Sequence, residues 1–120
     1  MADFGTFKII VKNTSIKEYY DVDIQTQWYK WTIYLESDPP DALEKNIDYV
    51  IYHLHPSFPE HDIKVEQSTP TFKIASKGWG EFTIRIDLFH NSKKKTIEHY
   101  LSLSQVTNIS THFIDPTQFT

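Results

Sequence analysis

The sequence predicts an all-β fold: an immunoglobulin-like antiparallel β-sandwich of about seven or eight strands. Three observations lead there. Apolar and polar residues alternate with a period of two over several stretches. Clusters rich in Pro, Gly, Asn, Asp and Ser interrupt those stretches at short intervals. Only "DALEKN" has a helical composition, and it is long enough for a turn or two at most. A small barrel is the alternative architecture of this size.

Taken in chain order, "FKIIVKN" is a strand candidate rich in β-branched residues. "WTIYLE" alternates through Trp31, Ile33 and Leu35. The segment from Glu36 to Asn46, "ESDPPDALEKN", is a polar loop around Pro39 and Pro40 that holds the one helical turn. "IDYVIYHLH", "DIKVEQ" and "TFKIAS" follow as further strands, the first two separated by the proline-bearing "HPSFPEH". "SKGWG" marks the next turn. "EFTIRIDLF" then sets Phe82, Ile84, Ile86 and Leu88 against Thr83, Arg85 and Asp87, the pattern of a half-buried strand. "HNSKKK", His90 to Lys95, is a polar hairpin tip. "KTIEHYLSLS" puts Ile97, His99, Leu101 and Leu103 on one face. No repeat or composition shift divides the chain, so residues 1–120 are expected to form one domain with a core over about 7–115.

Composition narrows the function. The chain has no cysteine, which excludes thiol catalysis and a disulfide framework and removes the commonest structural zinc ligands. With packed aromatics at 15% of the residues, the rings are expected to hold the two sheets together. The net charge of −4 argues against unspecific binding to nucleic-acid phosphates and favours a neutral or basic partner. Lys93, Lys94 and Lys95 are expected to be a solvated turn, so direct DNA binding is not expected. No apolar run approaches a membrane span and "MADFGTFKII" lacks a signal-peptide pattern, which points to a cytosolic or nuclear setting. The triplets at Asn13 and Asn108 then read as ordinary turn or strand residues rather than glycosylation sites.

Two loops carry the chemistry. In "HLHPSFP", His53 and His55 share one face of a strand, and Phe58 stands between Ser57 and Pro59 where no central strand can continue. In "KGWGEF", Trp79 lies between Gly78 and Gly80, with backbone freedom on both sides and no neighbouring Cβ to cover it. A slot between these two rings would take a flat group. Two other readings compete. His53 and His55 with His61 or His99 could ligate a metal, although no carboxylate pattern or cysteine supports it. Ser57 with His55 could be a nucleophile and its base, but the sequence shows neither a nucleophile elbow nor an orienting acid. The better expectation for His55 is a neutral imidazole that fixes the Ser57 hydroxyl or the loop backbone.

These stretches resemble the YEATS domain family. The likeness lies in "VIYHLHPSFP" (Val50 to Pro59), "TPTFKIASKGWGEFTIRIDLF" (Thr69 to Phe89), "KWTIYL" (Lys30 to Leu35) and "EHYLSL" (Glu98 to Leu103). The resemblance implies a non-enzymatic nuclear reader, without cofactor, of acylated lysine, acetyl or crotonyl, on histone tails. Histone H3 and the subunits of a chromatin-modifying, remodelling or transcription complex are the implied partners. An acyl-lysine amide is flat and uncharged, and carries one acceptor oxygen. Phe58 and Trp79 would form the aromatic sandwich and Ser57 would bond the amide beside His55. The backbone N–H of Trp79 would meet the acyl oxygen. Gly78 and Gly80 would let the loop approach, and Glu81 and Phe82 would complete the wall. At the pocket mouth, where the family often carries an aromatic or His, this chain has Gln27, with Trp28 one step on. The alternative is a structural interaction module whose sheet edges bind partner peptides.

Overall fold

The computed structural model describes residues 5–120. Residues 1–4 of the expected 1–120 domain lie outside the described residues. Eight strands build two four-stranded antiparallel sheets. The strands are β1 (Phe7–Asp21), β2 (Thr26–Asp38), β3 (Tyr49–His53), β4 (Asp62–Glu66), β5 (Ile74–Gly78), β6 (Phe82–His90), β7 (Lys93–Leu101) and β8 (Thr107–Ile114), with one short helix, α1 (Ala42–Asn46). One sheet runs β5-β2-β1-β8 and the other β4-β3-β6-β7. The sandwich expected from the sequence is the one observed, including the single helical turn at "DALEKN".

Alternation decides what faces inward. On β1, Phe7, Ile9, Val11, Asn13 and Ser15 are buried; on β2, Trp31, Ile33 and Leu35; on β6, Ile84, Ile86 and Leu88; on β7, Ile97, His99 and Leu101. Ile, Leu and Val make up most of the core, with Trp31, Tyr52, Phe7 and Phe72 among them. Aliphatic packing between the two inner faces therefore joins the sheets, rather than the aromatic packing expected from composition; several rings are spent on the surface instead.

Three further differences have physical reasons. Asp87 is buried although its position on β6 alternates to the outside, because Thr96 and His53 donate to its carboxylate. The hairpin tip is only Asn91 and Ser92, both with positive φ, so Lys93 to Lys95 open β7 instead of forming the turn. β8 pairs along β1 but turns Asn108, Ser110 and His112 toward the partly covered side, leaving Ile109 and Phe113 exposed. Its polarity is inverted relative to the other strands, which explains why alternation did not single it out.

The inverted strand forms part of a polar layer across the core. Asn13 donates to the Ser102 carbonyl at 3.0 Å, and its Oδ1 lies 2.7 Å from His99 Nε2. An amide oxygen only accepts, so Nε2 carries the proton and Nδ1 accepts from Ser110 at 2.6 Å. His112 Nε2 lies 3.0 Å from the same hydroxyl. His99 is 1% exposed yet both its nitrogens are partnered, which is the condition for keeping an imidazole in a core. Burial, and secondarily nearby His112, pushes its pKa down to about 4.

Candidate functional site

The site sits at one end of the sandwich, where β3, β5 and β6 begin or end. β3 gives way after His53 to a tight loop. Phe58 N–H donates to the His55 carbonyl at 3.0 Å, and Leu54 N–H to the His61 carbonyl at 2.6 Å. Pro56 and Pro59 fix φ on either side of the turn. β5 stops at Gly78, opposite Tyr29 of β2, so the chain from Trp79 to Glu81 is released over the sandwich end before β6 begins.

Between the two loops lies a cavity of about 390 Å³, within the usual range for small ligands. Every one of the eight residues singled out in these loops lines it: His55, Ser57, Phe58, Gly78, Trp79, Gly80, Glu81 and Phe82. Pro59, Lys77 and Trp28 complete the lining. Of the two candidates at the rim, Trp28 faces the cavity. Gln27 does not; its amide donates to the carbonyls of Tyr19 and Trp28, both at 2.9 Å, and so ties β1 to β2.

The two aromatic walls differ. Phe58 is half-buried, with its ring edge-on to Trp31 at 6.2 Å and tilted against Phe82 at 5.6 Å. Trp31 also meets Phe82 edge-on at 6.5 Å, so one wall is a supported cluster. Trp79 is 59% exposed. Neither glycine flanking it has a positive φ, so both could hold other residues without backbone strain. Space is not tight at either position. A Cβ on Gly78 would touch the Phe58 ring at 3.5 Å, and one on Gly80 would meet nothing within 4 Å, leaving that side open.

The polar groups have settled roles. Ser57 N–H donates to His55 Nδ1 at 3.1 Å, which requires a lone pair on that nitrogen. The Ser57 hydroxyl, 2.9 Å from the same Nδ1, therefore donates as well. His55 Nδ1 thus acts as an acceptor in this geometry, and the Ser57 oxygen keeps its lone pairs for an incoming N–H. Glu81 lines the cavity with its carboxylate turned away. It accepts from Leu103 N–H at 2.6 Å, Ser104 N–H at 3.1 Å and the Tyr100 hydroxyl at 2.9 Å. The Leu103 bond leads the effects that hold its pKa below the ordinary carboxylate range. Glu81 fastens the segment after β7 behind the wall.

The histidines do not converge on a metal. His53 points away from the cavity, each ring nitrogen 2.7 Å from a carboxylate, Asp62 and Asp87. His61 is near Asp62 at 3.5 Å, and His99 is in the polar layer of the core. No three His, Asp or Glu side chains are placed to hold a metal ion among the described residues. The repeated histidine of "HLH" thus separates into a clamp between strands and a cavity residue.

A family model described as the YEATS family matches residues 26–105. Among curated proteins, the chain is 31% identical over 84 residues to the AF-9 homolog of Candida glabrata, covering 67% of this chain and 37% of that protein. It is 31% identical over 81 residues to transcription initiation factor TFIID subunit 14b of Arabidopsis thaliana, covering 64% and 30%. The chain thus spans about a third of the length of these relatives. Among solved structures it superposes on the Yaf9 YEATS domain recognising an H3K122suc peptide, with a TM-score of 0.72 and 26% identity over 91% of this chain and 82% of that one. The Yaf9 YEATS domain bound to H3K27ac gives the same TM-score and coverage at 25% identity. The family model covers most of the chain and takes in both cavity loops, and the sandwich superposes over 91% of the chain: the chain belongs to the YEATS family.

Proposed function

We propose that this chain reads acylated lysine on histone H3 tails, as a binding module of a nuclear chromatin or transcription complex. The observation that carries the reading is the convergence of both loops on one cavity, with a supported ring on one side and an exposed Trp79 on the other. The planar acyl amide enters between Phe58 and Trp79. Its N–H donates to the Ser57 oxygen, whose own proton is held by His55. Its carbonyl oxygen accepts from the backbone N–H of Trp79, which lies beyond the last paired residue of β5. Both polar groups of the buried amide are then satisfied.

Charge supports acyl-lysine over free lysine. Lys77 at the rim has no ion-pair partner among the described residues, and Glu81 is committed to the segment after β7. An ammonium would lose its water beside another cation, whereas an amide carries no charge to desolvate or repel. Binding without chemistry is supported by His55. Among the described residues no carboxylate faces its Nε2, so Ser57 and His55 lack the third group that orients a catalytic pair. Membership of a YEATS family that includes an AF-9 homolog and TFIID subunits supports the nuclear setting. Calorimetric titration with one H3 peptide, unmodified, acetylated or crotonylated at a single lysine, tests the reading. Binding of only the acylated forms is expected. Equal binding of the unmodified peptide, or tighter binding of a trimethyl-lysine form, would overturn it.

A further inference from the structure

The β1–β2 hairpin does not end with the sandwich. β8 leaves β1 at Thr14, and β5 leaves β2 at Tyr29. Beyond these points residues 16–28 form a two-stranded ribbon with neither outer edge paired, on a molecule 59 Å long and only 24 by 22 Å across. The ribbon exposes Ile16, Tyr19, Tyr20, Val22 and Ile24, half of the large apolar side chains exposed among the described residues. An isolated two-stranded ribbon is marginally stable in water. This one is reinforced. Asp21 Oδ1 accepts from the N–H groups of Asp23 and Ile24 in the turn, and Gln27 ties the strands together. Tyr19 stacks on Trp28 at 5.8 Å and 11°. Trp28 also lines the cavity, so the stacked pair carries the cavity wall out along the ribbon.

We propose that this ribbon is a docking arm for the polypeptide that flanks the acylated lysine, and that it selects basic flanking residues. The proposal rests on the acyl-lysine reading of the cavity. A chain leaving the slot past Trp79 meets the unpaired edge of β2 at Thr26 to Trp28, where β5 has ended. It then crosses the Tyr19–Trp28 platform, a surface on which a guanidinium stacks well. The charge is complementary: residues 16–28 hold Lys17 against Glu18, Asp21 and Asp23. Glu18 faces Lys30, whereas Asp21 and Asp23 have no ion-pair partner among the described residues. A prebuilt arm of this kind lowers the ordering cost of binding an extended chain.

The test uses two peptides with the same acetylated lysine, one flanked by arginines and lysines and the other by glutamines and serines. The wild-type chain is expected to bind the basic-flanked peptide at least about fivefold more tightly at low salt, with the preference shrinking as salt rises. In Asp21→Asn/Asp23→Asn, which keeps an acceptor for the turn, and independently in Tyr19→Ala, the ratio should fall toward one. Affinity of Asp21→Asn/Asp23→Asn for the neutral-flanked peptide should be unchanged. A wild-type ratio near one, or a ratio that neither variant alters, would overturn the arm while leaving the pocket reading intact. Failure of the wild-type chain to bind either acetylated peptide would sink the pocket reading and the arm together.

Discussion

Replacing Trp79 with alanine will weaken acyl-lysine binding by at least about 30-fold and leave the melting temperature within about 2 °C. The first part follows from position: Trp79 is one of the two faces of the slot, and a central tryptophan contributes roughly 2 kcal/mol or more to such interfaces. The second follows from exposure. The ring is 59% accessible and has no stacking partner among the described residues, and changes at such positions move stability by roughly 0.5 kcal/mol or less. Phe58→Ala will behave differently. That ring packs on Trp31 and Phe82, so its removal lowers affinity and also destabilises the fold, by about 1–2 kcal/mol, less than a fully buried ring would. Parallel peptide titration and thermal melts of the two variants check both parts. A coincident loss of several degrees in Trp79→Ala would make that ring structural.

Stability will fall steeply between pH 6.5 and about pH 4, before most carboxylates titrate. His99 has its folded pKa lowered from 6.5 to about 4, chiefly by burial. In that window the unfolded chain takes up a proton that the folded chain refuses, so acid favours unfolding. The contribution is complete above the unfolded value, and is lost as pH falls through the window. Its size is on the order of 2–3 kcal/mol, or about 10 °C in melting temperature for a domain of this length. His112, also lowered by burial, adds in the same direction. Asp62, Glu81, Asp87 and Asp115 are held below their ordinary carboxylate values, so their losses come at lower pH. Thermal melts across pH 7 to 4.5 should therefore slope downward in the wild-type chain and much less in His99→Gln. Equal slopes would mean that the polar layer tolerates a charged imidazole.

Period-two alternation read the sandwich well wherever an apolar face meets the core, as on β2, β6 and β7. It did not single out β8, because that strand turns its polar residues inward to serve His99 and its apolar ones outward. His99 itself was placed on the correct face, but nothing local distinguishes a core histidine from a ligand. The partners that identify it, Asn13 and Ser110, lie 86 and 11 residues away in sequence. The cavity was legible for a related reason. Its residues come from two short loops whose composition departs from strand chemistry, and those departures are local. The choice between Gln27 and Trp28 was not legible, since a bulge between Lys17 and Tyr19 shifts the β1–β2 register just there. The glycines beside Trp79 suggested special backbone angles, but neither has a positive φ, and a Cβ would make ordinary contact at Gly78 and meet nothing at Gly80.

The most direct test of the acyl-lysine slot is a nuclear magnetic resonance titration that follows the backbone amides and the three tryptophan indoles with a crotonylated H3 peptide. The slot predicts the largest shifts at the Trp79 indole and at the amides of Ser57, Phe58 and residues 78–80, with none for the unmodified peptide. Shifts confined to the β7 and β8 edges, or shifts of equal size with the unmodified peptide, would contradict it.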